Sequence, residues 1–185
     1  MNLMEQVQRA REERRLVRVM RTPERAHELQ GYIVGHGEWI LIQNEDGFAL
    51  NGYSLAPMTQ VRRIGFFPAR SEYAQACRRL GLHLQAEALP DLDLGNTRSL
   101  FSSLRRRGGA VIVESEHEHS DAFLVGQILR VYRSSAVLAC VDTTGAWVCP
   151  SQMVCYDQIT RIGVGDRYCA HFSAPGGIDP DSHCV

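Results

Sequence analysis

Glu116, His117, Glu118, His119, Ser120 and Asp121 make the densest run of possible metal ligands in the chain. Side chains alternate faces along an extended segment. His117 and His119 would therefore point the same way and could grip one ion, with Glu116 or Asp121 completing the shell. That arrangement would serve a metal-dependent enzyme. The plainer reading is a solvated turn between two strands, because two histidines alone make a weak site. The matching turn earlier in the chain, Pro23 to Glu28, keeps only His27. The turn reading is preferred, and His183 with Cys184 near the end is a weaker pair still.

Arginine offers a second chemistry. All 20 basic residues are arginine and none is lysine. Schiff-base catalysis, a lysine general base and a phosphate-loop lysine are thereby excluded. A guanidinium binds phosphate or carboxylate as a planar fork. Arg11, Arg14, Arg15 and Arg18 form one cluster, and Arg105, Arg106 and Arg107 form another. On one face they would make a patch for an anionic ligand or an acidic partner. The competing reading is helix-end electrostatics with ion pairs to Glu5, Glu12 and Glu13. Interleaved aromatics, which single-stranded nucleic acid would want, are missing from the clusters.

Other reactive types lack a setting. Cys77, Cys140, Cys149, Cys155, Cys169 and Cys184 include no close Cys-x-x-Cys pair and read as structural thiols. Cys169 and His171 would share one side of a strand, without a sign of thiol activation. There is no Gly-x-Ser-x-Gly elbow and no glycine-rich phosphate loop. Trp39, Tyr53, Trp147 and Tyr156 could be stacking platforms, but aromatics in a small barrel serve core or interface more often. The expectation is a non-enzymatic protein with no cofactor.

The elements that must position these residues occur twice. Gly31-Tyr32-Ile33-Val34 is echoed by Gly126-Gln127-Ile128-Leu129, 95 positions on. Ile40 to Ile42 is echoed by Val137 to Ala139. Gln60 to Gly65 is echoed by Gln158 to Gly163, 98 positions on, and Tyr73 by Tyr168. Each copy opens with a helix: Leu3, Met4, Val7, Ala10 and Arg14 on one face, then Leu100, Phe101 and Leu104 after an Asn96 or Thr97 cap. Five short strands follow, near residues 16–20, 29–34, 39–43, 48–55 and 60–66, and again near 110–114, 123–131, 136–141, 146–154 and 158–164. Glycine inside each second strand marks a bend or a close backbone approach. A further helix spans about 69–80. This order describes a small closed barrel of the Sm or SH3 type, since closure removes exposed sheet edges.

The expected fold is therefore mainly β with short helices: two tandem Sm-like or SH3-like five-stranded barrels, each preceded by a helix. The expected domains are 1–81, a linker over 82–95, a second unit over 96–172 and a disordered tail over 173–185. Net charge is -1, which gives no global pull toward nucleic acid or anionic membrane. Apolar runs fall short of a membrane span, and Met1 to Arg15 holds no secretory segment. A cytoplasmic location is expected.

Leu124-Val125-Gly126-Gln127-Ile128, Val137-Leu138, Ser151-Gln152-Met153-Val154 and Ile159-Thr160 resemble the Sm-like family in its bacterial Hfq form. Leu29 to Ile33 and Trp39 to Asn44 are similar to the same stretch. The resemblance implies units that join edge to edge through fourth and fifth strands, in rings that bind single-stranded RNA. The family's basic Tyr-Lys-His turn is replaced here by Cys155-Tyr156-Asp157 and Pro57-Met58-Thr59. Asp157 would repel phosphate. The expected function is a bacterial regulator or adaptor that recognises another protein or self-associates. RNA binding through the arginines is the alternative, and a metal enzyme at His117 and His119 a second alternative.

Overall fold

The computed structural model describes residues 1–23, 26–117, 120–142, 144 and 146–172. The first half runs α1 (Leu3–Glu12), β1 (Leu16–Arg21), β2 (Leu29–His36), β3 (Trp39–Asp46), β4 (Ala49–Pro57) and β5 (Val61–Phe66). Two short helices follow, α2 (Glu72–Arg79) and α3 (Leu82–Gln85). The second half runs α4 (Thr97–Arg107), β6 (Val111–His117), β7 (Ser120–Val131), β8 (Ser135–Val141), β9 (Trp147–Cys155), β10 (Arg161–Val164) and α5 (Arg167–Phe172). The protein is mainly β with short helices. Among the described residues no helix is long and apolar enough to cross a membrane.

Local chemistry sets the helix ends. Asn2 caps α1: its Oδ1 accepts the Glu5 N–H at 2.9 Å, and Glu5 accepts the Asn2 N–H at 2.8 Å. Val7 and Ala10 turn inward, whereas Met4, expected on the same face, is 41% exposed. Asn96 caps α4 by accepting the Ser99 N–H at 2.8 Å. Gly108, at φ +74°, ends that helix after three arginines that suit its negative end. The β3–β4 hairpin turns on Gly47 and Phe48, both at positive φ.

The ten strands of the described residues belong to one antiparallel sheet, in the order β5-β1-β2-β3-β4-β10-β6-β7-β8-β9. Each half has the same internal order: fifth, first, second, third, fourth. The registers match as well. Val17 faces Gly31 and Val111 faces Gly126; Val19 faces Ile64 and Val113 faces Ile162. Both second strands shift register after equivalent residues, Ile33 and Ile128. One pairing of the repeat is corrected. Ile33 faces Ile42 and Ile128 faces Leu138, so Ile40 to Ile42 match Ala136 to Leu138.

The expectation that each half closes its own sheet is also corrected. The three-residue turn Met58–Gln60 sends β5 to the far side of β1, so it does not return beside β4. The β4 edge pairs instead with β10: Tyr53 with Val164, Ser54 with Gly163, and Leu55 with Ile162. Two edges that would each expose a row of backbone groups thus satisfy one another.

The largest core is shared. Trp39, Leu41 and Leu55 from the first half pack with Phe101, Leu104, Val113, Leu138 and Ile162 from the second. A smaller core lies under α1, with Val7, Ala10, Val17, Val19, Ile40, Ile42 and Ile64. The segment 82–95 lies against the shared core. Leu82 and Leu89 are buried in it, Leu92 and Leu94 pack on it, and the Leu94 carbonyl accepts the Trp39 N–H at 3.2 Å. Residues 173–185 are outside the described residues.

The glycine inside each second strand is there for space. A Cβ at Gly31 would land on the Gln43 carbonyl oxygen, and one at Gly126 on that of Ala139. Gly65 offers ordinary contact distances of 3.5 Å and more. Gly31→Ala and Gly126→Ala should each lower stability by about 2–4 kcal/mol in denaturant unfolding, with Gly65→Ala within about 1 kcal/mol of the parent.

Candidate functional site

The two halves meet at a polar seam. Arg21 ends β1 on the inward face that Val17 and Val19 begin, and its side chain is 0% exposed. Its Nη1 donates to Glu116 Oε2 at 2.9 Å and to the Thr160 carbonyl at 2.9 Å. Its Nη2 donates to Glu116 Oε1 at 3.1 Å and to the His27 carbonyl at 2.8 Å. Thr160 Oγ1 donates to Glu116 Oε2 at 2.6 Å, and the His27 N–H donates to Oε1 at 3.1 Å. A bidentate pair of this kind fixes distance and angle together.

Further bonds stitch the seam. Gln60 Nε2 donates to the Ile159 carbonyl at 3.3 Å. Arg161 Nε donates to Ser54 Oγ at 3.0 Å while its Nη1 pairs with Glu114. The Arg167 N–H donates to Asn51 Oδ1 at 3.0 Å. The two acids respond oppositely to this setting. Burial opposes charge on Glu116, but Arg21, Thr160 and the His27 N–H outweigh it and hold its carboxyl below the usual range. On Glu114 burial prevails over the pull of Arg161, and the carboxyl moves up.

The ends of the sheet are unlike one another. Leu55 faces Leu41 and Met153 faces Val137, so the two occupy equivalent places in β4 and β9. Leu55 is 0% exposed because β10 and the shared core cover it, whereas Met153 is 65% exposed. β9 therefore presents as an outer edge the same strand that β4 presents to β10. At the other end, the Ile64 N–H of β5 donates to Gln6 Oε1 from α1 at 3.3 Å. Its equivalent Ile162 lies inside the sheet, opposite Leu55. Gln6 thus covers part of the β5 edge.

The candidate metal cluster has another use. Glu116 is held by Arg21. Part of the run expected as a turn is strand: the ladder places Glu116 opposite Asp121 and His117 opposite Ser120. Glu118 and His119 lie outside the described residues, among which no three candidate ligands gather.

The first arginine cluster is largely engaged by its own chain. Arg14 Nη1 donates to the His83 and Leu84 carbonyls at 3.2 Å each. Arg15 Nη2 donates to the Phe67 carbonyl at 3.1 Å, and its guanidinium lies 4.6 Å from the Phe66 ring centre. Arg18 bonds Gln30 and covers the Phe67 ring at 4.8 Å. Arg105 is exposed near the end of α4. Arg11 lines one surface depression, and Arg106 and Arg107 line the next. Asp91 lines both, so a carboxylate sits where the two clusters approach.

The aromatics pack inward or along strands. Trp39 is buried and donates from Nε1 to Thr97 Oγ1 at 3.0 Å. Tyr53 lies in the seam strand, and Tyr156 stacks on Phe101 at 5.0 Å between centroids. Burial comes first among the forces that push the Cys77 and Cys140 thiols up to about 11 and Cys169 to about 12, away from activation. Cys169 and His171 lie on α5, a helix and not a strand, where residues two apart do not share a face.

Sequence reading missed the partnership of Arg21 with Glu116. The alternation Val17, Val19, Arg21 was the available signal, since it aims a guanidinium inward. Compared with protein-family models, with curated proteins and with solved structures, the chain matches none.

Removing one partner of the buried pair strands the other. Arg21→Ala should cost about 3–5 kcal/mol in urea unfolding, and Arg21→Met with Glu116→Leu should cost less than the two single changes together. Glu116 has a depressed folded pKa. Its contribution is full above the unfolded value, 4.5, and fades as pH falls through the folded one. The stability gap between the parent and Glu116→Gln should accordingly narrow as pH is lowered from about 7 to about 3.

Proposed function

We propose that this chain is a non-enzymatic protein-binding module, a regulator or adaptor, that takes a strand of its partner onto the β9 edge. One observation carries the reading. Met153 is 65% exposed at the place where its equivalent, Leu55, is buried in the shared core beside β10. Adding a strand to a sheet edge gives affinity through backbone hydrogen bonds and specificity through the side chains on alternate positions. The stretch Ser151 to Met153 corresponds to Tyr53 to Leu55, the stretch that β10 engages. Pro150 just before it lacks an N–H and limits how far the edge can extend its ladder.

The recurring strand order supports reading the halves as two Sm-like units, and the β4–β10 pairing as a junction between such units. A chain with both outer edges open and complementary would add copies of itself head to tail. Gln6 on β5 works against that and favours a partner of different sequence at β9. RNA binding has less support. Arg14, Arg15 and Arg18 are engaged with backbone carbonyls, a glutamine and aromatic rings of their own chain, and Asp91 stands beside Arg11 and Arg106.

The chain itself supplies a probe. A synthetic peptide copying residues 158–166, which contain β10, should bind the full-length protein with a dissociation constant on the order of 0.1–1 mM. NMR shifts should centre on Ser151 to Val154, and Met153→Asp should abolish them. A peptide that perturbs no β9 resonance would overturn the reading. So would nucleic acid that co-purifies with the protein and is released by salt.

A further inference from the structure

We propose that the cleft between the end of α1 and the helices α2 and α3 is a binding site for a small organic phosphate or carboxylate. It is independent of the β9 edge, and either can fail without the other. The cleft has a volume of about 510 Å³ and is lined by Glu13, Arg14, Arg15, Tyr32, Arg78 and His83, with an apolar wall that includes Leu16 and Phe67. Three guanidinium groups against one carboxylate leave it cationic.

Its polar groups are only partly used. Arg14 has one nitrogen on the His83 and Leu84 carbonyls, and Arg15 pairs with Glu13 and the Phe67 carbonyl. Among the described residues the Arg78 guanidinium makes no hydrogen bond or ion pair. Tyr32 lines the cleft, and its hydroxyl has no protein hydrogen-bond partner among the described residues. His83 Nδ1 is buried and likewise without one. An oxyanion in the cleft would accept from Tyr32 and from Arg78, and the charge would make both bonds stronger than neutral ones.

The ligand class follows from the walls. The cleft is larger than a bare phosphate needs, and Leu16, Phe67, Pro68 and Ala74 would shelter an apolar or aromatic body. Depth comes from Tyr32, on the sheet, while charge comes from the helix ends. The arrangement binds and orients; it contains no group placed to break a bond in the ligand.

Calorimetric titration of the full chain with phenyl phosphate, benzoate, inorganic phosphate and phenol tests this. Phenyl phosphate or benzoate should bind more tightly than inorganic phosphate, and phenol should not bind. The stronger of the two names the anion. Arg78→Gln should weaken it about tenfold, and Tyr32→Phe several-fold, with unfolding midpoints close to the parent for both. Arg106→Gln, outside the cleft, should leave affinity unchanged. Equal binding of inorganic phosphate, no heat from either organic anion, or full affinity in Arg78→Gln would each overturn the site.

Discussion

The pairing of Tyr53 to Leu55 with Ile162 to Val164 is the contact on which the rest of the molecule depends. A small duplicated unit leaves one edge at its fourth strand and another at its fifth. Each unpaired edge carries backbone groups that must find water or another strand. Here the fourth strand of one half meets the fifth strand of the other. That contact makes two five-stranded sheets into one of ten. It also closes the largest core, because Leu55 and Ile162 lie on it and both are fully buried.

The seam carries its own polar specificity. Hydrogen bonds of β4 to β10 alone would tolerate a shift in register. The Arg21–Glu116 pair does not, since a two-residue slip would strand a guanidinium in a buried place. Thr160, Gln60 and Ser54 add fixed bonds on both sides. The same comparison that explains the seam also exposes an asymmetry. β5 is partly covered by Gln6, while β9 displays Met153 at a position built for burial.

Much of the fold was legible in the sequence. Gly31 and Gly126 were visible because only glycine allows the paired carbonyl so close. The strands showed through valine-rich runs and turn residues, and α4 through its Asn96 cap. The one-residue error at Ile40 to Ile42 arose because aliphatic runs look alike when slid by one position. What stayed hidden was every feature made by distant residues. Nothing local in β4 distinguishes an edge that closes on its own half from one that pairs with the other. Glu116 resembled a metal ligand because its partner, Arg21, is 95 positions away. The residues 82–95 read as a linker because proline and acids interrupt them, and nothing local showed that Leu82, Leu89, Leu92 and Leu94 face the shared core. Arg78 and His83 were missed for the same reason, being brought to Arg14 and Tyr32 by packing of α2 and α3.

If one sheet and one core join the halves, neither half should unfold alone. Differential scanning calorimetry of the full chain measures this most directly. The account predicts a single transition whose calorimetric and van't Hoff enthalpies agree, with Arg21→Ala moving the whole transition down. Two separable transitions, only one of them shifted by Arg21→Ala, would contradict it.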